Sequence, residues 1–208
     1  MVLMAAMMGT AQPALLTFPQ ERPVFLREYS TNHYSVVSYF LSRLTIEVLV
    51  TALQCFFLVL VSFLLIGFQS NFFFFYINTY ALAMVSTALA VMLGCTVEDP
   101  KLATEMMPIV FVPQLLFAGF FVSPSLIPSW LRWLRYVFSL TYVMRLGVLE
   151  EFSDCHGQKA SIACDVLIDA VDAESDESWS YWIILAVLFI FFRLSALFFL
   201  QRKATKFL

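Results

Sequence analysis

With 208 residues, 61% of them hydrophobic and only 13% charged, against about 25% charged in ordinary soluble domains, the chain is too apolar for a water-soluble globule. It reads as an all-α, polytopic membrane helical bundle with about five spans. A net charge of −3, with Lys and Arg placed beside apolar runs and no basic tract, excludes a nucleic-acid partner and points to the lipid bilayer.

Residues 1–18 are uncharged and just long enough to cross, since a spanning helix takes about 20 residues. No basic residues precede them and Gln12-Pro13 interrupts the apolar run, so they fit a span better than a secretory leader. From Gln20 to Arg43 the chain turns polar, with Arg22, Arg27 and Arg43 against Glu21 and Glu28, and the Arg count favours a cytoplasmic loop. No charged residue then occurs from Val48 to Val97, which as one straight helix would run about 75 Å, against a hydrocarbon core of about 30 Å. Two spans are therefore expected, 36–68 and 71–97. The turn at Gly67-Phe68-Gln69-Ser70-Asn71 separates them and, lacking Lys and Arg, lies outside.

Residues 97–105 bring the chain back to the cytoplasm with Lys101 and a break at Pro100, and a span over 104–122 leads out again. The stretch beyond Phe111 is unlike a simple span. Pro113, Gly119, Pro124 and Pro128 puncture it, and Trp130, Arg132, Trp133, Arg135 and Tyr136 make it aromatic and basic. Residues 125–149 are read as a re-entrant helical hairpin on the outer side, with an interfacial loop helix as the alternative. The segment 150–178 holds nine of the fifteen acidic residues, which puts it in water as an outer loop. The last span, 179–200, has Trp179, Tyr181 and Trp182 at one interface and Arg202, Lys203 and Lys206 at the other, placing the C-terminus in the cytoplasm. Five spans would leave the N-terminus outside, which hints at a preceding span.

Two charges enter apolar runs. Arg193 is either an intramembrane charge on a transport path or, as we favour at this level, a side chain snorkelling to the nearby interface. Glu47 shares a helical face with Arg43 four residues earlier, and the pair is read as a partly solvated lead-in to its span rather than a proton relay. Cys55 and Cys95 lie in apolar runs and read as inert buried thiols. Cys155 and Cys164 both fall in the acidic outer loop, where a disulfide between them stands beside two free thiols or pairing across subunits. With His156 they make no recognised zinc spacing, and no metal ligand set is expected. No GxxxxGK[ST], GxGxxG, HExxH or GxSxG occurs, and His33 and His156 fall on opposite sides of the membrane, so no catalytic residue is assigned.

Three fragments then carry a family resemblance. Glu21-Arg22-Pro23-Val24-Phe25-Leu26-Arg27-Glu28-Tyr29 is similar to the ER-x-VF-x-RE-x loop after the second span in the G subfamily of ABC transporters, the White and pleiotropic drug resistance type with an ABC-2 membrane domain. Ala118-Gly119-Phe120-Phe121 resembles the end of that family's fifth span. Ile127-Pro128-Ser129-Trp130-Leu131-Arg132-Trp133, with Tyr136, Tyr142 and Glu151-Phe152, resembles its re-entrant hairpin.

The resemblance covers residues 1–208 as one membrane domain and implies roles. Phe111, Val112 and Leu115 would face a substrate cavity, and Phe120 and Phe121 would form a valve above it. Glu21, Arg22, Arg27 and Glu28 would couple the membrane domain to a nucleotide-binding domain. It further implies a dimer of half-transporters in the plasma membrane, exporting hydrophobic or amphipathic compounds such as lipids, sterols or drugs. ATP and Mg would be held by the nucleotide-binding domain, on a missing N-terminal part or a separate chain, with no cofactor in this one. Leu140 stands where the family often has proline, and Gly9 where it often has an aromatic. A membrane scaffold derived from the same fold is the alternative of a different class; a secondary transporter would show paired intramembrane charges or internal repeats.

Overall fold

The computed structural model describes residues 1–30, 35–66, 71–97, 99–118, 133, 136–151 and 178–205, side chains at 22, 23, 26, 29, 30, 151, 204 and 205 excepted. Every element among the described residues that spans more than a turn is an α-helix: α1 Val2–Ser30, α2 Val36–Ile66, α3 Phe72–Thr96, α4 Pro100–Phe117, α5 Ser139–Glu151 and α6 Ser178–Thr205. Among the described residues, four segments are long and apolar enough to cross a membrane: Val2–Glu21, Val36–Ile66, Phe72–Thr96 and Ser178–Lys203.

α4 is not among these four. It has 18 residues, carries Lys101 and Glu105 near its start, and contains Pro108 and Pro113. The expected span 104–122 overlaps it, but the outer end of that span lies outside the described residues. Pro100 does not end a helix here; it occupies the first turn of α4, where its missing N–H costs nothing, behind the N-cap Asp99, whose carboxylate accepts from Lys101 N at 3.0 Å.

The polar stretch expected to be a loop from Gln20 is helical instead. α1 runs on through Pro19 and Pro23 to Ser30, so the chain between the first two spans is mostly an extension of α1. A proline removes the bond to the carbonyl four residues earlier, so Pro13 and Pro19 strip the helical donors from Gly9 O and Leu15 O. Both carbonyls meet a neighbouring helix. Gln54 Nε2 of α2 donates to Gly9 O at 3.1 Å. Leu15 O faces Gly94 of α3 so closely that a Cβ there would lie 2.8 Å from it. Gly94 thus lets two backbones approach at a carbonyl with spare acceptor capacity, where Cα–H contacts of the kind seen at close helix crossings can form.

α3 is the hub, packed against each of the other five helices. Its buried residues include Ala83, Ser86, Thr87, Ala88, Ala90 and Gly94, small side chains that permit close approach where lipid supplies no hydrophobic drive between helices. Leu3, Met7, Ala11 and Leu15, spaced every four residues, make one ridge of α1 that joins Leu82, Val85 and Ala88 of α3 in the core. At one end of α3, Asn71 caps the helix by accepting from Phe73 N at 3.0 Å. At the other, Lys203 of α6 donates to Thr96 O at 2.7 Å, satisfying a terminal carbonyl where a cation is favoured.

α5 covers the part of the expected hairpin that is described from Ser139 onward. Leu140, Tyr142, Val143 and Leu146 are buried in the core, so Leu140 in place of proline packs inward at the start of α5. Asn78 Nδ2 of α3 donates to Val143 O at 3.0 Å. Arg145 is buried too, its guanidinium 5.6 Å from the centre of the Tyr181 ring, so this arginine is accommodated within protein. Of the remaining hairpin residues, Trp133 and Tyr136 are exposed, while Arg132 and Arg135 lie outside the described residues.

Candidate functional site

α1 and α2 touch each other less than each touches α3, and the space between them is a cleft of about 170 Å³. α3 and α6 form its floor through Thr87, Val91, Cys95, Arg193 and Leu200. Pro13, Ile46, Val50 and Gln54 stand exposed at its mouth. From Arg43 to Gln54 the α2 wall spans about 16 Å at the helical rise of 1.5 Å per residue.

Two ion pairs line this cleft. Nearer one end, Arg43 Nη1 lies 3.0 Å from Glu21 Oε1, and Tyr39 OH donates to Glu21 Oε2 at 2.8 Å. Both charged side chains are more than a third exposed, so this pair is worth little by itself. Deeper, Arg193 of α6 grips Glu47 of α2 in bidentate fashion: Nη1 donates to Oε2 at 3.1 Å and Nη2 donates to Oε1. Nη2 also reaches Thr87 Oγ1 at 3.4 Å, and the guanidinium lies 5.4 Å from the Phe189 ring centre. Arg193 is 6% exposed.

Two readings of the sequence are corrected here. Arg193 does not snorkel to an interface; it turns inward to an acid 146 residues away in sequence. Glu47 is not a lead-in partnered by Arg43, because Arg43 is engaged by Glu21 and Glu47 by Arg193. The reason is the cost of an ionised group in hydrocarbon, which falls only if an opposite charge and further hydrogen bonds are supplied at the same depth. One acid and one base inside apolar runs satisfy each other.

The residues expected at a substrate cavity lie elsewhere. Phe111 is buried in the core, Leu115 is half-buried against it, and Val112 is exposed on α4. None of the three lines the α1–α2 cleft. Val112 shares an exposed stripe of α4 with Leu102, Ile109 and Leu116. The expected valve, Phe120 and Phe121, and the expected disulfide, Cys155 and Cys164, lie outside the described residues. Of the expected coupling residues, Glu21 holds Arg43, Arg27 and Glu28 are exposed on the α1 extension, and the Arg22 side chain is not described. Sequence reasoning missed Gln54, whose signal was Pro13 four residues after Gly9 on the preceding span, and Thr87, which gave none.

The order of helices, with the short α5 after the proline-containing α4, can be set beside known proteins. The family model described as ABC-2 type transporter matches residues 1–151. The chain belongs to the ABC-2 type transporter family. It is 25% identical over 206 residues to Protein white of Ceratitis capitata, covering 92% of this chain and 30% of that one. To ABC transporter G family member 1 of Dictyostelium discoideum it is 23% identical over 222 residues, 95% of this chain and 28% of the other. To the broad substrate specificity ATP-binding cassette transporter ABCG2 of Rattus norvegicus it is 32% identical over 133 residues, 61% of this chain and 20% of the other. The chain thus spans about 30% of the length of the curated relatives it matches across most of its own length.

Proposed function

We propose that this ABC-2 domain is the membrane-spanning part of an ATP-driven exporter of hydrophobic or amphipathic compounds, working as a dimer at the plasma membrane with its C-terminus cytoplasmic. The observation that carries the reading is the family match over residues 1–151, together with relatives of the G family along nearly the whole chain. The α4 stripe of Leu102, Ile109, Val112 and Leu116, apolar and uncovered within one chain, supports a second half-transporter on that face. Val112 would then look into the space between the two halves, with Leu115 beside it, Phe111 bracing α4 from the core, and Phe120 and Phe121 closing the outer end.

The α1 extension supports the coupling role. Glu21, Arg22, Arg27 and Glu28 sit on a helix continuous with the first span, so a push on that end is passed to the span through helix rather than through a loop. Glu21 also contacts α2, through Arg43 and Tyr39. ATP and Mg would be bound by a nucleotide-binding domain joined to or paired with this chain, and Cys155–Cys164 would brace the outer loop.

The test is ATP-dependent accumulation of a lipophilic fluorescent dye in inside-out vesicles carrying the protein with its nucleotide-binding domain. Transport that needs ATP and falls at least twofold in Val112→Trp is expected. ATP-independent or absent dye movement, with the protein correctly inserted, would contradict the exporter reading.

A further inference from the structure

Apart from Glu21 and Arg43 at one end, the α1–α2 cleft is unused by that reading, and its chemistry is specific. Glu47 spends one acceptor site of each carboxylate oxygen on Arg193, while a carboxylate offers about four. Thr10 Oγ1 donates to Ala6 O at 2.8 Å, which leaves its lone pairs as acceptors on the α1 wall. Gln54 turns its Nε2 away to Gly9 O. Arg193, more than nine-tenths buried, closes the cleft floor behind Glu47, with its Nε enclosed in the protein. A buried ion pair is seldom more stabilising than well-packed apolar groups, and intramembrane charge that faces a cavity points to a ligand path.

We propose that the cleft is a binding site for a neutral, hydroxyl-headed amphipath, held within one chain and separate from any site on α4. The hydroxyl donates to a free acceptor site of the Glu47 carboxylate. The tail leaves between Ile46 and Val50, both exposed at the mouth, into hydrocarbon. The charge state of the head is set by the pair. An ammonium reaching Glu47 would meet the guanidinium already on it, and an anion reaching Arg193 would meet the carboxylate. A plain alkane would enter but leave the unused acceptors of Glu47 unsatisfied, at the cost of desolvating a polar group without a partner. Glu21, Arg43 and Tyr39 at the far end are bound to one another, so the cleft as a whole offers no net charge.

The test is photolabelling of the full chain in phosphatidylcholine nanodiscs with a diazirine-bearing long-chain alcohol, mapped by mass spectrometry. Labels should fall on cleft residues such as Thr10, Ala14 and Thr51. Dodecanol should compete at least tenfold better than dodecane or dodecylammonium. Val50→Trp, a change at the exposed mouth that leaves the core alone, should cut cleft labelling at least fivefold, and Glu47→Gln should reduce it by a smaller factor. Labels spread over the lipid-facing sides of α2 and α6 and unchanged in Val50→Trp would overturn the site. Equal competition by dodecane would overturn the hydroxyl head, and stronger competition by dodecylammonium its neutrality. None of these outcomes depends on dye transport or on Val112, so this site and the exporter reading stand or fall separately.

Discussion

α2 from Val48 onward and the whole of α3 share one uninterrupted charge-free run, yet 61% of the apolar window of α3 is buried within the protein and only 17% of that of α2. Their difference lies in side-chain size and polarity. α3 carries Ala83, Ala88, Ala90 and Gly94 with Asn78, Thr79, Ser86 and Thr87, all buried. α2 shows Leu49, Leu53, Phe57, Val61, Leu64 and Leu65, all exposed. Lipid tails solvate the large apolar side chains of α2 as well as protein would, so there is no drive to bury them. Close packing and interhelical hydrogen bonds decide which helix sits at the centre. Hydropathy places a helix in the bilayer; small and polar residues place it in the bundle. α2 is then held to the bundle at a few polar points, Gln54 to Gly9 O and Glu47 to Arg193.

That contrast can be broken in four graded ways. Arg193→Ala removes one partner of the buried pair and strands Glu47, and a loss of about 3–5 kcal/mol is expected in a thermal or denaturant unfolding series in detergent. Gly94→Val drives a side chain into the Leu15 carbonyl and should cost about 1–3 kcal/mol, with loss of the α1–α3 contact seen by cysteine crosslinking. Asn78→Leu removes the bond to Val143 O and should cost about 0.6–1.7 kcal/mol, the range of hydrogen bonds between membrane helices. Leu53→Ala, on the exposed face of α2, should change stability by less than about 0.5 kcal/mol. If Leu53→Ala proves as costly as Gly94→Val, the lipid-facing assignment of α2 is wrong.

Much of this organisation is legible in the sequence. The length of the charge-free run demands two spans, and the polar residues around Asn71 locate the start of the second, which Asn71 caps. The end of the first helix is not, because polarity suggests a loop, whereas Pro19 and Pro23 fit within a helix whose freed carbonyls are met from outside, as Leu15 O is by Gly94. The ion pair escapes a reading that weighs Glu47 and Arg193 one at a time. Each has a plausible local explanation, and only their shared depth, which no sequence spacing of 146 residues displays, makes them partners. The cleft itself has no sequence signature, since it arises from how far α1 and α2 stand apart on α3.

The tie between α2 and the bundle is tested most directly by a double-mutant cycle on Glu47→Gln and Arg193→Met, measured as unfolding free energy in one detergent. Direct coupling predicts that the double variant is more stable than the sum of the single losses allows, with an interaction energy of at least about 1.5 kcal/mol, inside the 0.5–3 kcal/mol range for groups in one network. Additive losses would contradict it, because they would mean that the two charges are stabilised independently.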